Sequence, residues 1–217
     1  MEIEPLILSF EVAAIAMVAA AIIGVAVAAL LANYRFFGRN LVDVLFTAPM
    51  VMPPTVLGYY VLVALGSHST LGKAYHAVTG SQIVFTKAGA VVAAVIGALP
   101  LVVKTVRTAV EEIDPTLVLA ARTLGATRLR AFVTIQLPLS YRGLVAALML
   151  AFARSLGDFG VTLMVAGDIP GVTKTAALAI YDAIIGHRES DALMMIAVLT
   201  ITVSVILYAV NKLTEKK

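Results

Sequence analysis

The sequence contains no cysteine and no tryptophan. Without cysteine there is no disulfide framework, no thiolate metal site and no iron–sulfur cluster, and no resident metal is expected. Charge is the second scarcity: Lys, Arg, Asp and Glu make up 13% of the 217 residues, where a soluble domain carries roughly 25%. Histidine is confined to His68, His76 and His187, all outside the expected membrane spans, and His-Glu-x-x-His is absent. Asp158 is the one aspartate well inside such a run. An intramembrane protease therefore lacks its two aspartates, its serine–histidine pair and its zinc motif, and no enzyme is expected. A phosphate-cradling loop is missing as well. The run "GSHSTLGKA" has one residue too many between Gly66 and Gly72 and puts Ala74 where Ser or Thr is required.

What is abundant is apolar surface: 61% of the residues, with a mean hydropathy of +1.00. Val12 to Tyr34 is 23 residues without a charge, Val44 to Gly72 is 29, and Ala192 to Asn211 is 20. About 20 apolar residues cross a bilayer. Two further spans carry charge at or within their limits. Ala88 to Val103 has 16 uncharged residues, enough if Lys87 and Lys104 snorkel to opposite interfaces. Gly143 to Gly167 is long enough but contains Arg154 and Asp158. The expectation is an all-α integral membrane protein with about five transmembrane helices, as one domain over 1–217. Its spans fall near 6–33, 42–66, 86–106, 142–167 and 192–211. The segment near 173–185 is too short to cross and is expected as an external interfacial or re-entrant helix.

Five spans divide the basic residues unequally. Arg35, Arg39, Lys104, Arg107, Arg122, Arg128, Arg130, Arg142, Lys212, Lys216 and Lys217 fall on one side; Lys73, Lys87, Lys174 and Arg188 fall on the other. The richer side is cytoplasmic by the positive-inside rule, which puts the acidic N-terminus (Glu2, Glu4, Glu11) outside. That acidic start is unlike a signal peptide, which opens with positive charge.

The longest cytoplasmic loop, about 107–141, has its own grammar. Asp114 caps a helix opening at Pro115, where the missing N–H is no loss. Leu117, Ala121 and Leu124 share one face. Gly125 ends this helix in a left-handed conformation. Thr127 caps a second helix carrying Leu129, Phe132 and Val133, closed by Leu137 and Pro138. Two readings stand: a basic amphipathic hairpin on lipid headgroups, or a docking element for a soluble partner.

Within the spans, Pro49, Pro53 and Pro54 break one helix's hydrogen-bond ladder, either as packing kinks or because the helix lines a cavity. Gly24, Ala28 and Ala32 form a small-residue stripe that helix packing explains. Tyr59 and Tyr60 fit an interface or a pore equally. Arg154 and Asp158 stand four apart and can pair, either as a structural bridge or along an anion path, with Thr162 one turn further on.

The run "AARTLGATRLRAFVTIQLPL" resembles the EAA loop of permease subunits of ABC importers. Ala120, Ala121, Gly125, Ile135, Leu137 and Pro138 fit that pattern, while Leu119 stands where it has its first glutamate. "LFTAPMVMPPTVLGYYVLVALG", "FARSLGDFGVTLMVAGDIPG" and "TKTAALAIYDAI" are similar to stretches of the molybdate-transport permease family, and the likeness runs from about Leu6 to Val210. It implies a multi-pass protein of a prokaryotic inner membrane that pairs as a homodimer. Two cytoplasmic ATPase subunits would bind ATP and Mg, and a soluble extracytoplasmic binding protein would deliver the oxyanion. It implies no cofactor in this chain, a lipid environment and no nucleic-acid partner. The ATPase-coupling residues it implies are Ala120, Ala121, Arg122, Gly125, Ala126, Arg128, Leu137 and Pro138. Candidates for the translocation path are Pro53, Pro54, Arg154, Asp158 and Thr162. Sulfate and tungstate permeases are the rival readings within transporters; a passive channel or a membrane anchor are the rivals outside them. Some relatives of this kind carry a C-terminal oxyanion-binding domain that shuts the transporter. Six residues follow Asn211, so no such feedback is expected through this subunit.

Overall fold

Small residues on one face of the first helix set the packing of the bundle. In the computed structural model, which describes residues 3–215, α1 runs Glu4–Asn33, about 45 Å at 1.5 Å per residue. Ala16, Ala20, Gly24 and Ala28 repeat every fourth residue and are fully buried. Their face lies against α5, Lys87–Glu111, so closely that a Cβ on Gly24 would stand 2.6 Å from Val102 Cγ1. Ala94, Ala98, Val102 and Val106 of α5 join the resulting core, as do Ala147 and Ala151 of α9, Tyr141–Leu156. The last long helix, α12, Glu189–Thr214, lies against α9 with few buried side chains.

Among the described residues three helices, α1, α5 and α12, are each long and apolar enough to cross a membrane; two bent pairs bring the number to five if each pair is one span. The stretch expected as one span over 42–66 is α2, Arg39–Thr47, with a 3-10 turn Ala48–Met50, and then α3, Pro54–Leu65. The chain bends by 115° between the two arms. The prolines account for the break, since a residue before proline is driven out of the helical region, and Pro53 is extended at ψ 132°. A further helix follows, α4, Thr70–Thr79, in which the Ser69 hydroxyl accepts from the Gly72 N–H at 2.8 Å. This capping turn is what the "GSHSTLGKA" segment forms.

The stretch expected as 142–167 is also divided. α9 ends at Leu156, and the seven-residue α10, Gly160–Ala166, begins after a break at 157–159. Ahead of α9 lie α6, Pro115–Thr123, α7, Arg128–Ala131, a π turn Phe132–Gln136 and α8, Leu137–Leu139. The Arg128–Leu139 run bends into α9 by 77°. α11, Ala176–Ile185, has ten residues and is too short to span. Its Ala176 N–H donates to Ser9 Oγ at 2.7 Å, tying it to α1.

Both lysines at the ends of the α5 apolar run find acids. Lys87 pairs with Glu11 of α1, and Lys104 reaches Asp43 of α2 at 3.5 Å. α5 continues past Lys104 to Glu111, so the loop expected to start near 107 opens later. Arg107, within the helix, bridges Asp43 at 2.9 Å and Glu111 at 2.8 Å. Of the residues named in the sequence argument, Glu2, Lys216 and Lys217 lie outside the described residues.

Gly24→Ala tests the α1–α5 contact. The new methyl would stand 2.9 Å from Val102 Cβ, an atom with no freedom to swing away. Overpacking of this kind costs about 1–3 kcal/mol, read as a lower thermal midpoint of the purified protein. Val102→Ala in the same chain is expected to return part of the loss as a coupling term in a double-mutant cycle. Strictly additive losses would mean that the two side chains do not compete for that space.

Candidate functional site

Two places gather the residues singled out by the sequence: the corner between α6 and α7, and the meeting point of the two helix breaks. At the corner the local chemistry is closed by backbone and caps. Asp114 Oδ1 accepts from the Thr116 N–H at 2.9 Å, and Pro115 opens α6. That N–H holds the Asp114 carboxyl below its ordinary value. The cap is therefore intact above the unfolded pKa of about 3.9 and is lost as pH falls through the folded value. At the other end of α6, the Ala126 N–H donates to Ala121 O at 3.0 Å and the Gly125 N–H to Arg122 O at 3.1 Å. This double closure needs a left-handed residue, and Gly125 has φ +88°. Thr127 accepts from the Arg130 N–H at 3.2 Å and starts α7.

The helical run does not stop at Pro138. It passes through the proline to Leu139 and turns at Ser140. One turn earlier the ladder widens, with the Leu137 N–H donating to Phe132 O. The widening precedes a proline whose ring crowds the carbonyl four residues back and whose nitrogen has no proton to donate. Ala131, Phe132 and Gln136 are buried, and Phe132 belongs to the main core beside Val106 and Val110. The root of the corner is thus fixed in the bundle while its tip stands free. No residue of α6 is buried. Of the face predicted from Leu117, Ala121 and Leu124, Ala121 is half-buried while Leu117 is exposed and Leu124 is 89% exposed. Ala120, Arg122, Gly125 and Pro138 are also at the surface.

Arg128, also at the surface, reaches back to the end of α1. Its Nη1 lies 3.4 Å from Asn33 O, and its guanidinium stands 5.2 Å from the Tyr34 ring centroid. Arg39 Nε and Nη2 donate to Leu31 O at 2.9 and 2.7 Å. The last carbonyls of a helix lack partners, and cations there also meet the negative end of its dipole. Two arginines from separate segments thus close the C-terminus of α1, one of them belonging to the corner. Tyr34 and Arg39 were not singled out in the sequence as partners of the loop; the signal available was their position just past an uncapped 30-residue helix.

At the second place, Asp158 sits in the break between α9 and α10 rather than four residues along one continuous helix. It nevertheless keeps Arg154 in reach, with Arg154 Nη1 3.2 Å from Oδ1. Its other oxygen accepts from the Thr162 N–H at 3.0 Å and the Thr162 hydroxyl at 2.7 Å. Asp158 therefore caps α10. The break in the other span lies alongside: a Cβ on Gly160 would stand 2.7 Å from Pro54 Cβ, and one on Gly58 2.7 Å from Met164 Cβ. α5 closes the third side with Gly89, Ala93 and Gly97, a small-residue stripe unremarked in the sequence although its spacing of four was visible. A Cβ on Gly97 would lie 3.5 Å from both Arg154 Nη2 and Asp158 Oδ1. The structure so brings Pro54, Arg154, Asp158 and Thr162 to one junction, apart from the corner.

Arg128→Ala is expected to free the corner without disturbing the bundle. Amide hydrogen exchange should quicken at 126–131 and at the last turn of α1, while 10–28 keeps its protection. Tyr34→Leu should do the same more weakly, since it removes only the ring beneath the guanidinium. Unchanged exchange at 126–131 would show that the arginine does not hold the corner to α1.

Residues 12–217 match the family described as binding-protein-dependent transport system inner membrane component. The molybdenum transport system permease protein ModB of Haemophilus influenzae is 40% identical over 221 residues, covering 100% of this chain and 96% of that one. The putative molybdenum transport system permease protein YvgM of Bacillus subtilis is 41% identical over 180 residues, 83% of this chain and 79% of its own. The sulfate transport system permease protein CysT of Salmonella typhimurium is more distant, 33% identical over 195 residues, 90% of this chain and 70% of its own. Among solved structures, the inward-facing MetNI methionine ABC transporter matches 98% of this chain and 96% of its own with a TM-score of 0.73, at 20% identity. That last likeness concerns the fold alone. The chain belongs to the family of binding-protein-dependent transport system inner-membrane components.

Proposed function

We propose that this chain is the permease subunit of a molybdate importer. Two copies form the transmembrane path, two cytoplasmic ATPase subunits drive it, and an extracytoplasmic binding protein delivers the anion. The observation that carries the coupling half of this reading is the corner itself: a helix–glycine–helix tip turned by the left-handed Gly125, with Leu117, Leu119, Leu124 and Leu129 exposed, on a root packed into the bundle. Such a tip suits insertion into a cleft of a soluble subunit better than lying on headgroups, because its leucines flank the glycine at the apex rather than forming one continuous lipid-facing stripe. ATP and Mg belong to that soluble subunit, since the one segment of this chain resembling a phosphate loop is a helix cap. The basic residues put the corner on the cytoplasmic side. The choice of molybdate follows from the higher identity to molybdenum permeases than to the sulfate permease. A tetrahedral dianion is common to both readings, and selection between them falls to the binding protein.

The test is uptake by proteoliposomes holding the permease with the ATPase and binding protein that co-purify with it. Molybdate uptake that needs ATP and both partners supports the reading; uptake of sulfate in preference to molybdate moves the protein to the sulfate branch. Gly125→Val sharpens the coupling half. Nothing lies within 4 Å of a Cβ at Gly125, so the substitution meets no neighbour and strains only the backbone, by about 1–2 kcal/mol or more for a β-branched residue. The expected outcome is a stably assembled complex that hydrolyses ATP without transport. Normal transport by that complex would mean that the corner is not the coupling element.

A further inference from the structure

Arginine offers five N–H donors in a planar fork, and Arg154 uses one of them. Its Nη1 meets Asp158 Oδ1 at 3.2 Å; among the described residues no acceptor is recorded for Nε or Nη2. The two members of the pair are unequal. The Asp158 side chain is 2% exposed and accepts three hydrogen bonds, two of them from Thr162, whereas the Arg154 side chain is 37% exposed. Thr162 is itself buried, with its hydroxyl turned to Asp158. The carboxylate is thus shared among three donors and the guanidinium is only partly neutralised.

Its position gives that imbalance a direction. Arg154 lies at the seam between two apolar cores. One is built from α1, α5 and α9; the other contains Leu57 and Val61 of α3, Ala93 of α5, and Val161 and Val165 of α10. At this seam both broken spans are interrupted, and Gly97 leaves the ground beside Nη2 free of a side chain. An arginine at such depth faces protein or water rather than lipid. Its open edge matches an oxyanion in the bidentate manner that guanidinium favours.

We infer that Arg154 is an oxyanion subsite within the membrane path, that Asp158 positions it without touching the anion, and that Thr162 holds Asp158. The inference rests on the reading of the chain as an oxyanion permease and narrows the path candidates to one contacting residue. A half-neutralised arginine also suits transit, because conduction needs an ion held weakly enough to leave.

The experiment uses the complete complex of permease, ATPase and binding protein in proteoliposomes, with labelled molybdate, tungstate and sulfate. Arg154→Gln is expected to lower uptake roughly tenfold or more, by loss of the charge-assisted contact. Dimer assembly and ATP hydrolysis stimulated by the binding protein should be unchanged. Arg154→Lys should keep a substantial part of uptake. Asp158→Asn retains an acceptor for Thr162 but releases the full cation, so the solubilised complex should hold more labelled anion after the binding protein is removed. Wild-type uptake by Arg154→Gln overturns the assignment. So does a loss of dimer or of stimulated hydrolysis in both Arg154 variants, which would make the residue a structural contact, and so does unchanged retention in Asp158→Asn. If the wild type carries sulfate but not molybdate, the molybdate reading falls, and Arg154 is judged by the same variants on sulfate. Transport of none of the three anions overturns both.

Discussion

A helix broken inside a membrane exposes backbone donors that no water can reach, and the Asp158 carboxylate is what resolves this for α10. It accepts the Thr162 N–H, one of the donors that the new helix start leaves without an intrahelical partner, and it accepts the Thr162 hydroxyl as well. A carboxylate so placed needs a cation, and Arg154 supplies it from the last turn of α9. The charged pair, the break and the cap are thus one arrangement; losing the carboxylate would leave the Thr162 N–H and hydroxyl buried without a partner, which is costly in a medium of low dielectric. This is why ionisable residues are tolerated in a run that would otherwise read as a plain apolar span.

The broken spans can sit side by side only because glycine removes side chains where backbones approach. Gly160 against Pro54 and Gly58 against Met164 are two such approaches within one region, where an added Cβ would stand 2.7 Å from its neighbour. Gly24 against Val102 does the same between the two longest-packed helices. Lipid gives helices little hydrophobic reason to associate, so close packing of small residues has to supply the attraction. α5 joins both apolar cores and carries residues of this kind on two faces, towards α1 and towards α10.

What the sequence made legible was local. Asp114 before Pro115, Gly125 after an apolar face and Thr127 three residues before Arg130 each fix a backbone conformation through partners within a few residues, and each is found in place. The long helices α1 and α12 were legible because their uncharged runs exceed the bilayer. The breaks were only half legible. Three prolines marked the first; at the second, Gly157 followed by Asp158 is a stop-and-start signal, but the run is long enough to read as one span, and α10 depends also on α3, which is distant in sequence. The spacing of Arg154 and Asp158 suggested a pair on one helix. The pair is real, yet it joins a helix to a break, since a flexible arginine can span either geometry. Arg128 shows the same limit from the other side. Its membership of a basic loop suggested an outward contact, and the one carbonyl it reaches, Asn33 O, lies 95 positions away in sequence.

Exposed apolar side chains in this chain are of two kinds, and separating them decides what the corner means. Ile7 and Ile22 on α1, and Ile201 and Val205 on α12, are exposed along helices long enough to cross a membrane. Lipid accounts for them. Leu117, Leu119, Leu124 and Leu129 are exposed beside Asp114, Arg122, Arg128 and Arg130, on helices of nine and four residues. Charges at that density do not enter the hydrocarbon core, so a membrane span does not account for this second group. Covering one leucine is worth about 1.5–3 kcal/mol, and several around a single glycine make up the surface proposed above to dock with the soluble subunit. The caps at Asp114 and Thr127 and the double closure at Gly125 hold that surface in one shape beforehand, which lowers the ordering entropy a partner has to overcome on docking.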